Sequence, residues 1–518
     1  MRTPTIIWLC LLVVIPCRVE GTCEPNIPAD LTRDCRVNLD DFALFAPDWA
    51  RPALSHQWVA AYNGPANDFD RAYTIATDSA GNVYVAGRAG LSATTCDYVT
   101  IKYSQDGSEL WAATYNGPAN DKDEAKALSI DASGNIYVTG YSDGLGTAYD
   151  CATIKYSTDG NEIWAARYNG TGNGGDIGSD IAIDSSGNIC VTGSAAGSGT
   201  GYDCITIKYS ADGNQLWAAT YNGPQNSTDE ARAIIIADSN DVYVAGYSLG
   251  SVADIDYITI KYSPEGNELW TARYEGPASS TDLAEAIAVD SSGNVYVTGY
   301  SAGASTGYDY ATIKYSSDGN ELWAVRYNGP ENGSDKAKAI AIDAADNLYV
   351  TGYCASAQTG YDWVTIKYSP DGGELWKARY NSPQNGSDEA WAIAIDGNNG
   401  VYVTGSSTGT GTGEDCTTIK YSADGSVLWV AAYNGTANAA DKAQAIAISS
   451  SGNIYVTGYT TGAASDSDFI TIKYLPDYSC APPLTADLTH NCEVDIFDLA
   501  EFCRYWLDCN LDPPESCP

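Results

Sequence analysis

One spacing constrains this chain more than any other feature. Trp58, Trp111, Trp164, Trp217, Trp270, Trp323, Trp376 and Trp429 stand 53 residues apart with no insertion. Tyr103, Tyr156, Tyr209, Tyr262, Tyr315, Tyr368, Tyr421 and Tyr474 keep the same step, each ending a Thr-Ile-Lys-Tyr run. A fixed period of this length, made of short alternating segments, predicts a β-propeller with one four-stranded blade per repeat. In the second repeat the inner strand is expected over residues 125–130, the next over 135–141, the third over 150–156 and the outermost over 162–168. The turns at 131–134 and 157–160 supply the Ser-Gly-Asn and Asp-Gly signals of tight hairpins.

Phase decides how the ring closes. The first repeat opens with an outer strand at 56–63, and the last ends with a third strand at 470–474 that no tryptophan follows, position 482 being Pro482. An open end would leave strand edges unpaired, so the N-terminal strand should complete the final blade. The expected fold is therefore all-β, an eight-bladed β-propeller over 56–476 closed by its N-terminal strand. Short α-helical calcium-loop segments are expected at both termini.

Residues 1–21 read as a cleaved signal peptide. Arg2 precedes ten apolar residues, 6–15, and Val19-Glu20-Gly21 supplies small residues for cleavage. Ten residues are too few for a membrane span of about 20, and no later apolar run is longer. The mature chain is thus expected to start near Thr22 and to be secreted, extracellular or at the cell surface. Thirteen of the fifteen cysteines lie beyond this segment, which suits an oxidising compartment. Cys190 and Cys204 replace tyrosines of two neighbouring strand columns, and a cross-strand disulfide is expected between them. A net charge of −39 argues against nucleic acid or an anionic membrane as partner and favours cations.

Cation ligands are spaced along both ends. Asp30, Thr32, Asp34, Asn38 and Asp41 fall at loop positions 1, 3, 5, 9 and 12, with the Arg36 carbonyl at position 7. Asp487, Thr489, Asn491, Asp495 and Asp498 repeat the comb around the Glu493 carbonyl. That spacing wraps a hard cation, calcium, in oxygen. Apolar stripes follow each loop, and Phe42, Phe45 and Trp49 are expected to pack on Leu499, Phe502 and Trp506, joining segments 22–52 and 485–510 into one split module.

These two segments resemble the halves of a type I dockerin, with Cys35 and Cys492 where that family places glycine. The resemblance implies calcium loading and a cohesin-like or other extracellular protein partner. The repeats themselves resemble the bacterial SBBP β-propeller family, through Gly-Asn-Val-Tyr-Val-Thr-Gly-Tyr at 293–300 and Ile-Ala-Val-Asp at 287–290. That family's name implies seven blades, whereas the count here gives eight. What the resemblance implies is an extracellular binding or structural role, with no shared reaction.

Recurring columns argue structure, and function should sit where one repeat departs from the rest. The tryptophans should pack between blades. The lysines of Thr-Ile-Lys-Tyr are expected to pair with the acids of Asp97, Asp150 and Asp203. Asp70, Asp123, Asp176, Asp229, Asp282, Asp335, Asp388 and Asp441 open each inner strand and should bond their own loop amides rather than gather an ion. Tyr73, Trp391 and Trp363 depart from their columns, which makes them either sugar platforms or core filler. Histidine occurs only at His56 and His490, so no His-based triad or zinc cluster can form, and no carboxylate pair stands out among 66 acids. The leading reading is a secreted, calcium-binding scaffold or binding module with glycan as a candidate ligand, in a polysaccharide-processing or surface assembly. The alternative is a lyase or glycosidase using acids on loops such as 115–124.

Overall fold

The computed structural model describes residues 56–474 apart from 93–94, 252–253, 410–412 and 463–466. Eight separate four-stranded antiparallel sheets follow one another along the chain. In the first, strands Arg71–Thr77, Val83–Ser92, Thr95–Tyr103 and Glu109–Tyr115 run in order from inner to outer; they are called A to D below, and every blade repeats them. The eighth sheet takes its strand D from the start of the chain. Trp58–Tyr62 pairs antiparallel with Asp468–Tyr474, placing Trp58 opposite Lys473 just as Trp111 lies opposite Lys102 in the first blade. Strands A of the eighth and first blades touch, so the ring closes as the phase of the repeat predicts.

The fold follows from where apolar side chains go. Each hydrophobic cluster joins one face of a blade to the facing side of the next: Ala125, Val138 and Ile154 of the second blade pack with Tyr84, Ala86 and Tyr98 of the first. No blade buries both faces without two neighbours, which makes closure part of the core. Turns are set locally. Between strands C and D, Ser104 and Ser108 close a tight turn whose Gly107 adopts φ +88°, and between A and B the Asp78 carboxylate accepts the Asn82 amide at 2.8 Å.

Adjacent blades are latched by one motif. The Trp111 Nε1 of strand D donates to the Thr158 carbonyl in the C–D turn of the next blade (3.0 Å), and the Lys102 Nζ of strand C donates to the same oxygen (3.1 Å). The pair recurs on Ala211, Pro264, Ser317 and Pro370. At the closing junction Trp58 and Lys473 both donate to Gln105. The turn glycine lies flat under the indole: a Cβ on Gly160 would stand 2.6 Å from Trp111 Cδ2. The tryptophans therefore do pack between blades.

Two expectations are overturned. The lysines do not pair with the column of Asp97, Asp150 and Asp203, because five residues along strand C put the two columns at opposite ends and on opposite faces. Lys208, Lys314 and Lys367 instead meet Asp184, Asp290 and Asp343 of the A–B turns, at 2.8, 3.2 and 3.5 Å. Asp150 pairs with Arg167 of strand D at 2.8 Å, and Asp256, Asp309 and Asp362 meet Arg273, Arg326 and Arg379 likewise. The Cys190–Cys204 disulfide is also absent, both thiols being free and buried. Cys190 lies opposite Lys208 and Cys204 opposite Ser194, a stagger of four residues or about 13 Å along the strands, beyond the reach of a disulfide.

Candidate functional site

The acids that open each inner strand are structural, as expected. Asp335 is fully buried, and its carboxylate accepts the Gly329 amide at 2.5 Å and the Ala355 amide at 3.0 Å; Asp70, Asp176, Asp282, Asp388 and Asp441 hold the same two loop positions. Burial pushes Asp70 and Asp335 up to about 6 against these amide bonds.

Variation is concentrated two or three residues further on. Strand A of every blade carries a β-bulge against strand B, after Ala72, Ala125, Gly178, Ala231, Ala284, Ala337, Ala390 and Ala443. The residue skipped by the register is Tyr73, Lys126, Ser179, Arg232, Glu285, Lys338, Trp391 or Gln444, a column with no consensus beside one that is almost all alanine. Bulges re-aim side chains, and here they bring this column together around the axis. The Lys126 ammonium stands 4.8 Å from the Tyr73 ring. Arg232 Nη1 donates to Glu285 at 3.0 Å, Lys338 Nζ donates to the same carboxylate at 2.7 Å, and Lys338 also lies 5.2 Å from the Trp391 ring. All these side chains are half-buried.

The neighbouring pair in the ladder adds charge. Arg71 lies opposite Arg88, Lys336 opposite Tyr353 and Lys442 opposite Tyr459. In a chain of net charge −39, cations thus gather at this mouth. Burial alone would raise the Glu124 carboxyl, yet Lys126 and Arg88 outweigh it and hold the group below its ordinary value. Burial followed by the charge of Lys338 lowers Lys336, which lies 4.4 Å from the Tyr300 ring. Several donors remain unused. Trp391 Nε1, Arg71 Nε and Arg88 Nε are enclosed and make no hydrogen bond with any described residue. Buried N–H groups beside aromatic faces suit a ligand rich in acceptor oxygens.

The departures singled out in the sequence divide here. Trp363 is core filler: it is fully buried and donates from Nε1 to the Ser406 carbonyl at 3.1 Å, the post that Tyr310 fills against Val364. Tyr73 and Trp391 belong to the mouth. Sequence reading missed Lys126, Arg232, Glu285 and Lys338, although loss of consensus in one column of the aligned repeats is the signal that finds them. The calcium-loop residues Asp30, Thr32, Asp34, Arg36, Asn38, Asp41, Asp487, Thr489, Asn491, Glu493, Asp495 and Asp498, together with the expected terminal helices and their pairing, lie outside the described residues. Among the described residues no three His, Cys, Asp or Glu side chains converge to hold a metal, and no helix is long and apolar enough to cross a membrane.

Three stretches of the chain match a known repeat family. Residues 113–146, 269–305 and 431–463 match the SBBP family model, a β-propeller repeat. An uncharacterised WD repeat-containing protein of Acanthamoeba polyphaga mimivirus is 25% identical over 371 residues, 59% of this chain and 25% of that protein, so the chain spans about a quarter of its relative's length. A solved protein of unknown function from Dyadobacter fermentans is 10% identical with a TM-score of 0.40, covering 82% of this chain and 99% of its own. A chain of the Drosophila plexin A–semaphorin 1b complex is 10% identical with a TM-score of 0.37, covering 80% and 86%. Eight four-stranded sheets on a 53-residue period, with three stretches of the chain matched by a propeller-repeat model, make this chain a β-propeller repeat protein.

Proposed function

We propose that the chain is a secreted, calcium-binding β-propeller that serves as a binding or scaffold module, in an extracellular polysaccharide-processing or surface assembly. The observation that carries the binding role is the bulge column and the ladder pair before it, where repeats that agree elsewhere diverge and leave enclosed N–H donors on Trp391, Arg71 and Arg88. A glycan bearing hydroxyl and carboxylate oxygens fits these groups: its oxygens accept from Arg71, Arg88 and Trp391, and its ring lies against the aromatic faces. The terminal loops supply the calcium site, with Asp30, Asp34 and Asp41 in one and Asp487, Asp495 and Asp498 in the other as carboxylate ligands. A cohesin-like protein is the partner that such a module would dock.

Glycan arrays containing neutral and uronic-acid chains test the mouth. Saturable binding that weakens at least about tenfold in Trp391→Ala supports the reading, and binding without release of new chain ends separates it from the lyase or glycosidase alternative. No binding on either class of array, or binding indifferent to Trp391, sinks it. Calcium titration of the full chain and of a variant lacking 485–510 tests the split module: loss of calcium binding at both loops supports it, and an unchanged affinity at the surviving loop refutes it.

A further inference from the structure

One blade lacks a side chain that all the others have. Strand B carries Tyr84, Tyr137, Tyr243, Tyr296, Tyr349, Tyr402 and Tyr455 in seven blades, and Cys190 in the third. Each of these tyrosines is buried, and each sits under the ammonium of a strand C lysine, from 4.6 Å for Lys314 over Tyr296 to 5.6 Å for Lys473 over Tyr455. Six of the rings also meet the strand D tryptophan at centroid distances of 5.7 to 6.0 Å. Where the A–B turn begins with aspartate, the phenol hydroxyl donates to that carboxylate, as Tyr137 does to Asp131 at 3.0 Å and Tyr349 to Asp343 at 3.0 Å. The lysine thus caps the phenol in all seven blades, and a carboxylate accepts its hydroxyl in five of them, forming a cage.

In the third blade the cage is present without its phenol. Asp184, Asn188, Lys208 and Trp217 occupy the four cage positions, and together they line a solvent-open cavity of about 410 Å³ bordered by Leu216 of the same blade and Glu265 of the next blade's turn. Cys190 lies opposite Lys208 in the strand B–C ladder, just as Tyr137 and Tyr296 lie opposite Lys155 and Lys314. With no hydroxyl to share the carboxylate, Lys208 closes on Asp184 to 2.8 Å, where the lysines of the fifth and sixth blades stand 3.2 and 3.5 Å from acids that also accept a tyrosine hydroxyl. Asp184 keeps its turn, accepting the Asn188 backbone amide at 2.8 Å and the Asn188 side chain at 2.9 Å, so the acceptor is fixed in place. Trp217 keeps its latch to the Pro264 carbonyl at 3.1 Å.

We propose that this cavity is a binding site for a phenolic ring. The ligand's hydroxyl donates to Asp184 Oδ2, its face lies under the Lys208 ammonium and its edge meets Trp217, repeating the geometry that the chain's own tyrosines take elsewhere. Volume is sufficient, since small-molecule sites commonly measure about 300–1,000 Å³. The acceptor selects a hydroxylated ring over a plain one, because Asp184 is a carboxylate buried beside its lysine and rewards a donor. The site is independent of the axial mouth and of calcium.

The test uses the full-length protein and 4-methylphenol, the tyrosine side chain itself, followed by ligand-observed NMR and tryptophan fluorescence. One saturable site is expected, with toluene at least about fivefold weaker for want of the charged hydrogen bond, and methyl glucoside not competing. Cys190→Tyr should fill the cage from within, abolish binding and raise the melting temperature; Cys190→Phe should abolish binding with a smaller rise, and either variant alone decides where the ligand sits. Absence of saturation by 4-methylphenol in the unaltered protein overturns the proposal. So does binding that survives both substitutions, or displacement of the phenol by methyl glucoside at equal concentration.

Discussion

The strand that closes the ring is held by a contact that one methyl group should break. Gly107 sits under the Trp58 indole with φ +88°, and a Cβ there would lie 2.8 Å from Cδ2 and 3.0 Å from Cγ. Gly146 has nearly the same backbone, φ +83°, with nothing within 4 Å of its virtual Cβ. Gly107→Ala and Gly146→Ala therefore share the left-handed strain of about 1 kcal/mol, and only the first adds the cost of forcing a ring out of a packed site, about 1–3 kcal/mol. The indole cannot yield freely, because its Nε1 is bonded to Gln105 at 3.0 Å. Denaturant midpoints should place Gly107→Ala lower by that difference, and hydrogen exchange should speed up first in Trp58–Tyr62 and in the facing strand Asp468–Tyr474. Equal midpoints for the two variants, or exchange that rises uniformly round the ring, would refute the idea that this latch governs closure.

Three further outcomes follow from the same geometry. Asp70, Asp97, Asp180 and Asp335 are pushed up to about 6 chiefly by burial, so the native state holds protons between pH 4 and 6 that the unfolded chain has released, and stability should fall as pH rises through 6. For Asp131 and Asp343 burial is outweighed by their Asn and Tyr donors, which hold them low and withdraw stability only as pH falls below about 4; the melting temperature should thus peak near pH 4, and a flat or falling profile from pH 6 to 4 would contradict this. Asp335→Ala leaves the Gly329 and Ala355 amides without their acceptor and should cost about 1–3 kcal/mol for each in a urea titration. Cys96, Cys151, Cys190, Cys204, Cys354 and Cys416 are buried, with burial raising every thiol, so native protein at pH 8 should resist alkylation, and denatured protein should alkylate all six without reductant.

What the sequence disclosed was whatever a period can encode. Trp58 and its seven counterparts gave blade number, phase and closure, because one residue per repeat marks a strand and the count leaves one strand to be supplied from the other end. The loop role of Asp335 was legible for a similar reason, since its amide partners lie nearby in the chain. Lys208 and Asp184 were not legible as partners, because a column reveals recurrence but not the end of the strand at which it faces another column. Cys190 and Cys204 failed on register: both columns were right, and a stagger of four residues separates them. The mouth was hidden by its bulge, which breaks the alternation that would have marked Tyr73, Lys126 and Trp391 as neighbours.

The gap in the main chain lies inside the eighth blade, between strand C ending at Tyr474 and strand D starting at Trp58, and that blade still latches onto Gln105 with the same atoms that the unbroken blades use. To the blades, then, the break in the main chain is a matter of bookkeeping. Joining Tyr474 to His56 through a Ser-Asp-Asp-Gly-Asn turn of the kind that links strands C and D elsewhere, and cutting instead between strands C and D of any other blade, should give circular permutants that fold to the same ring. Their relative stabilities would rank the eight C–D strand pairings by strength.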